Sequence, residues 1–464
     1  MTDRTLTMTP GFARFAAELR YDDLPPALLA ILRRSFLDTM GVAAVGSTTE
    51  MATAARRAAP HLFGSGDTDG SRVLMNGLRV SPTGAAMAGA MTIDSVDAHD
   101  GTTPNKGHGG SAIFPALLAV ADSLQKRGQV LSGQSFAVYL ALAYELSYRA
   151  GQAQHATCTD YHTSGAWTAV GVAIACARML GCDETGMAHA AGIGEYHGPR
   201  SQMMRCIDFP TMVRDGVGWG APSGVSAAYL ACEGFTGAPA LTCDSERAQP
   251  HWTDLGNQWR TIEHTHYKPY ACCRWAHPSI DAVRDLMQQH KLQHQQIDAI
   301  EIRTFHYATR LAGHEPATLD EFAYGIAFPV ATMAVRGRIG AAELQQATLQ
   351  DPEILRISRA VKLIDDPVLT ARSVQKRWAA VDLITRDSER FSAEPRFPRG
   401  DADLPLSDAE ISDKFYGFAR PVLGEDRATK LHALTTAFDS LGPADFSDLL
   451  TLCLAAPKAK PAQH

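Results

Sequence analysis

The sequence predicts a mainly α protein carrying a smaller α+β lid. Before residue 267, and again after 393, most apolar residues recur every three or four positions, which is the spacing of amphipathic helices. Between these stretches, Ile297–Phe305 and Ala379–Thr385 alternate apolar and polar residues as half-buried strands do. The simplest partition is an all-helical large domain from residues 1–266 and 394–464, with an α+β lid over 267–393. A chain of 464 residues is also longer than one ordinary hydrophobic core serves.

The first helix is written from Asp23. An acid stands as the cap, Pro25 and Pro26 follow in the first turn, and Leu29, Leu32, Phe36 and Met40 form a stripe that Gly41 and Gly46 end. Arg72–Asn76 has strand character, and the small-residue run Pro82–Ile93 predicts a tightly packed helix. Ser132 is a cap candidate for the helix carrying Phe136, Leu140, Ala143 and Leu146. The alanine- and glycine-rich run after Tyr161-His-Thr-Ser-Gly165 predicts a helix whose neighbours approach closely. Helical patterns follow at Glu184–Ile193 and Ser223–Cys232. In the lid they occur at Glu321–Val335 and Ala341–Leu349. Pro-rich Glu394–Gly400 reads as a linker, and Ser407–Ala419 and Asp426–Leu441 are helical again.

Composition narrows the function. Apolar residues make up 45% and charged residues 20%, with a net charge of −7, so nothing draws the chain generally to nucleic acid or an anionic membrane. The nine cysteines include no Cys-x-x-Cys pair and read as reduced core residues of a cytoplasmic protein. The first ten residues lack the apolar block of a secretory signal, and no apolar run is long enough to span a bilayer. The Pro/Ala/Lys-rich tail from Ala455 has the composition of a disordered segment.

The chemistry is concentrated in Asp97-Ala-His-Asp-Gly-Thr-Thr-Pro-Asn-Lys-Gly-His-Gly-Gly110. Glycine and proline at that density predict a shaped loop, and the apolar helix that follows offers unpaired amides to an anion. The same residues also suit a solvated surface loop, or a divalent metal site built from Asp97, His99, Asp100 and His108. His162 stands at the start of its helix as a candidate acid/base group or a cap. Arg214, beside Asp215 in a glycine-rich stretch, is placed either to clamp a carboxylate or to pair with its neighbour. Lys268, Tyr270, Cys272, Cys273 and His277 fall at the domain junction, where clefts form. No Walker loop, Gly-x-Gly-x-x-Gly after a strand, or Gly-x-Ser-x-Gly elbow is present, which favours chemistry by side chains without a cofactor.

In order along nearly the whole chain, Phe36-Leu-Asp-Thr-Met-Gly41, the Asp97–His108 loop, Tyr161-His-Thr-Ser-Gly165, the Gly218–Gly237 block, Lys268-Pro-Tyr, His277 and Lys414-Phe415 resemble the MmgE/PrpD superfamily. That superfamily holds 2-methylcitrate dehydratase, cis-aconitate decarboxylase and iminodisuccinate epimerase. The resemblance implies a helical domain made from both chain ends, an α+β lid, and a homodimer with the site between the domains. Its acidic loop and histidine fall on Asp97, Asp100 and His108, its second histidine on His162, and its pre-lid lysine on Lys268. Two departures stand out. Arg214 replaces a lysine of the glycine block, and the lid tyrosine of decarboxylase members aligns with Phe328, with Tyr324 one turn earlier.

The resulting expectation is a cofactor-independent enzyme that abstracts a proton next to a carboxylate of a small di- or tricarboxylic acid. His108, oriented by Asp97 or Asp100, is the expected base, and His162 the expected acid or the partner on the opposite face of the substrate. Thr102, Lys106, Arg214, Lys268, His277 and Tyr324 are the expected substrate-binding residues, with no metal. A 2-methylcitrate-type dehydratase is the first reading, and an iminodisuccinate-type epimerase or cis-aconitate-type decarboxylase is the alternative. A metal-dependent hydrolase or a non-catalytic polycarboxylate binder represents a different class.

Overall fold

A computed structural model describes residues 11–64 and 70–457. The expectations for the first ten residues and the last seven lie outside it. Before the lid and after it the chain is helical, and the only sheet of more than two strands among the described residues lies within 297–396.

Small side chains set the spacing of the central helices. Gly133–Thr157, Gly165–Met179, Glu184–His197 and Val217–Cys232 pack on one another. A Cβ on Gly171 would lie 2.5 Å from the carbonyl of Ala143 and 2.2 Å from Ser147 Oγ, so only glycine permits that approach. Ser132 caps its helix by accepting the Ser135 amide, as expected. Helix Pro26–Gly46 does not stop at Gly41, because that glycine gives room to Phe415, whose Cα is 3.0 Å from where a Cβ would be. Nor does Asp23 cap this helix: it accepts the Arg20 amide in a preceding turn.

The sheet runs in the order Val361–Asp365, Ile297–Thr304, Ala379–Thr385, Arg390–Arg396. Its first pair is parallel and the others antiparallel. Ile297, Ile300, Ile302 and Thr304 are buried, with a register shift between Ile297 and Ala299 adjusting the alternation. Helix His277–His290 lays Ile280, Val283 and Leu286 against the sheet.

Several expected elements differ. The sheet takes residues 394–396 from the expected linker. The Glu321–Val335 pattern breaks into Leu319–Ala323 and Ala327–Arg336, which turns Tyr324 out of register. Only Gln346–Leu349 of the next pattern is helical, and the Arg72–Asn76 strand shrinks to Ser71–Arg72. Cys182 and Cys232 are joined in a disulfide, correcting the expectation that all cysteines are reduced core residues. They lie at a loop and a helix end brought together by packing of helices far apart in sequence, which spacing does not reveal.

One buried apolar core draws on residues from Phe12 to Ala271 and again from Leu406 to Leu454. A second draws on Met203, Cys206 and Ile207 together with residues from Tyr270 to Leu383. Lys414 returns from the C-terminal helices to the first core's loops, donating to Asp38 Oδ1 and to the carbonyl of Ala98.

Candidate active site

The polar loop follows helix Pro82–Asp94 and turns at Asp97, whose φ of 48° is left-handed. Gly101–Thr102 then pairs antiparallel with Thr265–His266, joining the loop to the chain that enters the lid. Gly101 has no room for a side chain, since a Cβ would stand 2.6 Å from His266 Nε2 and 2.9 Å from His108 Nδ1. Thr102 and Gly107 close a tight turn through reciprocal main-chain bonds of 2.8 and 3.3 Å. The His108 amide donates to Ser164 Oγ at 2.8 Å, and Ser164 in turn donates to Asp215.

The first amides of helix Gly110–Lys126 do receive an anion, but it comes from the loop itself. Asp100 Oδ1 accepts the Gly110 amide at 2.9 Å, and Tyr144 donates to Oδ2 at 2.6 Å. Burial pushes the Asp100 carboxyl up to about 6. This carboxylate therefore fills the helix end that was expected to take a ligand.

A cleft opens where the two apolar cores meet. Its cavity volume is about 60 Å³. Of the expected site residues it gathers Asp97, Thr102, Lys106, His108, Lys268 and Tyr324. Lys268 is buried and donates to both the carboxylate and the carbonyl of Asp97. His108 Nδ1 donates to the Asp100 carbonyl at 2.8 Å, which leaves the lone pair on Nε2, 3.8 Å from Asp97 Oδ1. Burial, reinforced by the Lys268 charge, lowers His108 to about 4, so its imidazole is neutral at pH 7. Thr102 Oγ1 is buried without a hydrogen-bond partner among the described residues.

The other expected residues do not line this cleft. His162 lies three residues before helix Gly165–Met179, in a segment bridged to Gln202, and the same segment sends Tyr161 to the cleft instead. Asp100 orients His108 through its main-chain carbonyl, not its carboxylate. Arg214 is neither a surface residue nor Asp215's partner. Its buried guanidinium pairs with Asp320, bonds the Ser95 carbonyl, and lies 5.4 Å from the Tyr324 ring centre. It meets the cleft only through that ring. His277 is fully buried and bonds the Cys272 carbonyl through Nε2. The lid tyrosine on the cleft wall is Tyr324, whereas Phe328 is in the second core.

Sequence reasoning missed His266, Arg274 and Arg377 as wall residues. Arg274 and His266 stood inside or beside the junction motif and were legible as candidates there; Arg377 sits between Lys376 and Trp378 in a stretch that carries no motif. Asp97, His99 and His108 each bring one possible metal-ligand atom within 4.8 Å of the others. Lys268 already holds Asp97 in that position, and Asp100, the fourth member of the expected metal set, is turned to the helix end.

Fold and cleft thus describe a helical protein with a histidine, lysine and carboxylate group between two cores, the equipment of acid–base chemistry. The chain matches the MmgE/PrpD N-terminal domain over residues 11–255 and the MmgE/PrpD C-terminal domain over 270–440, and it belongs to the MmgE/PrpD family. It is similar to the cis-aconitate decarboxylase-like protein oryM of Aspergillus oryzae, at 24% identity over 96% of this chain and 97% of that one. The cis-aconitate decarboxylase of Aspergillus terreus is 23% identical over 96% and 95% of the two chains. That of Homo sapiens is 22% identical over 96% and 94%. No helix among the described residues is long and apolar enough to cross a membrane.

Proposed function

We propose that the chain is a lyase that removes a proton next to a carboxylate of a small tricarboxylic acid, with dehydration of a 2-methylcitrate-type hydroxy acid as its reaction. The observation carrying this reading is His108: its Nδ1 proton is committed to the Asp100 carbonyl, and its neutral Nε2 is free to act as base. In the proposed step Nε2 takes the proton, and the C–H electron pair becomes an enediolate on the adjacent carboxylate. The Lys268 ammonium stabilises that developing charge. The pair then forms the carbon–carbon double bond as hydroxide leaves the neighbouring carbon, and the Tyr324 phenol, kept neutral by burial, protonates it to water. His108 and Tyr324 return to their starting states by a proton relay through solvent.

Decarboxylation of a cis-aconitate-type acid is the second reading, favoured by the names of the relatives and by Tyr324 on the cleft wall. Here the C–CO₂ bond breaks instead, carbon dioxide leaves, and the allylic carbanion takes a proton from the Tyr324 phenol, which solvent restores. Incubation in deuterium oxide with 2-methylcitrate, citrate, cis-aconitate and iminodisuccinate tests both. Exchange with alkene formation from a hydroxy acid is expected. Carbon dioxide from cis-aconitate would select the second reading, exchange with inversion of iminodisuccinate would select epimerisation, and no exchange or turnover with any of them sinks the lyase reading.

The homodimer belongs to this proposal too. Exposed Tyr196, Phe209, Val213 and Trp219 support an apolar face for a second copy. Light scattering of the purified protein is expected to give twice the chain mass, and a monomer at micromolar concentration would remove that part.

A further inference from the structure

The cleft holds more positive charge than its own carboxylates balance. Asp97 is taken by Lys268, and Asp401 is taken by Arg274 Nη2 at 2.7 Å and by Thr103 Oγ1 at 3.1 Å. Lys106 and Arg377 remain, and neither forms an ion pair with a carboxylate among the described residues. The Arg377 guanidinium donates only to main-chain carbonyls of its own turn, Ser373 and Lys376. Each of Lys106 and Arg377 has its charged form disfavoured first by burial, and Lys106 next by the Arg377 charge itself. Arg274 Nη1 is buried beside them with no hydrogen-bond partner. Lys106 is exposed at the cleft and Arg377 is half-buried in its wall, so both cations, with the unused Arg274 Nη1 donor in the same cleft, are open to an incoming anion.

The cations share one cleft: Lys106 stands two residues before His108 on the same loop, whereas Arg377 enters from the turn that follows Ser373. Lys268 serves the carboxylate at the reacting carbon, which leaves Arg377, Lys106 and Arg274 Nη1 for another.

We propose that Arg377 and Lys106, with Arg274 Nη1 behind them, form a second carboxylate subsite that makes the enzyme select tricarboxylic over dicarboxylic acids. The proposal rests on the lyase reading for the identity of the first subsite, and names Arg377 as the residue that determines specificity. A guanidinium suits the task because it offers two parallel donors to one carboxylate and stays charged when desolvated.

Calorimetric binding of two unreactive probes, tricarballylate and glutarate, tests it without relying on turnover. The unmodified protein is expected to bind tricarballylate at least tenfold tighter than glutarate. Arg377→Gln is expected to shrink that preference to threefold or less with glutarate affinity unchanged, and Arg377→Lys to retain part of it. A preference that survives in Arg377→Gln, or an equal loss for both probes, overturns the subsite. Should Arg377→Gln not fold, an unaltered preference in Arg377→Lys overturns it. If the unmodified protein shows no preference yet turns over a substrate in deuterium oxide, the subsite falls and the lyase reading stands. A preference dependent on Arg377 without exchange or turnover has the opposite meaning.

Discussion

The two walls of the cleft are built in opposite ways. One is a single stretch of chain, residues 94–110, whose turn is held by bonds to its neighbours, Asp97 to Lys268, Asp100 to Tyr144 and Gly110, the His108 amide to Ser164, while Lys106 stays open to the cleft. The other is assembled from Tyr161, Met203, Arg274, Tyr324 and Arg377, which are far apart in sequence and carry donors still unspent. A continuous wall can be pre-organised by local hydrogen bonds, which suits the proton transfer. The composite wall is set by core packing and holds positive charge for a substrate's carboxylates to balance.

The contrast can be broken or sharpened by substitution. The largest effect belongs to His108→Gln, which is expected to lower kcat by about 10²–10⁴-fold, the usual value of a positioned base, while the melting transition is kept. In the unmodified enzyme the acid limb of kcat/KM should fall near pH 4, where His108 titrates. Activity is lost as pH drops through that value, and a limb at 6.5 would remove His108 as the base. Lys268→Met leaves the Asp97 carboxylate buried and unpaired, and is expected to cost about 3–5 kcal/mol in denaturant unfolding, with activity lost as well. A variant as stable as the parent would show that Asp97 has another partner.

Asp100→Asn is smaller. Its folded carboxyl titrates at about 6, above the ordinary 3.8, so the stability linked to its proton is present below 3.8 and declines as pH rises through 6. The variant should lose about 1 kcal/mol at pH 5, because an amide nitrogen in place of Oδ2 cannot accept the Tyr144 hydroxyl, and show a flatter stability curve between pH 4 and 7. A curve parallel to the parent's would refute the assignment. The smallest change is expected from His162→Gln, with kcat unaltered in the deuterium exchange assay, because Tyr161 and not His162 reaches the cleft. A collapse of activity there would return the second histidine to the reaction.

The continuous wall was also the legible one. The helix from Ser132 announces itself by a capping serine, the Ala379–Thr385 strand by its alternation, and the loop by its density of titratable groups. Which of two carboxylates three residues apart turns inward is a different matter. It depends on the Tyr144 hydroxyl arriving from another helix, so the sequence names Asp97 and Asp100 alike as the group that orients His108. Arg377 sits between Lys376 and Trp378 in a stretch that carries no motif, and only the fold of the 373–378 turn delivers it to the cleft. Arg214 was expected to grip substrate because nothing local reveals that Asp320, 106 residues away, takes it first. The disulfide escaped for the same reason: Cys182 and Cys232 are 50 residues apart and meet only through helix packing.

The two-residue ladder between Gly101–Thr102 and Thr265–His266 works as a ruler for the whole site. Lys268 follows it by two residues and His108 lies a short turn from its other strand, so one main-chain register sets where the ammonium stands relative to the imidazole. A slip of a single residue would present the opposite faces of both strands. Any relative motion of the two cores that preserves this ladder carries base and ammonium as one piece, and the distance left free to change is the one between that piece and Arg377.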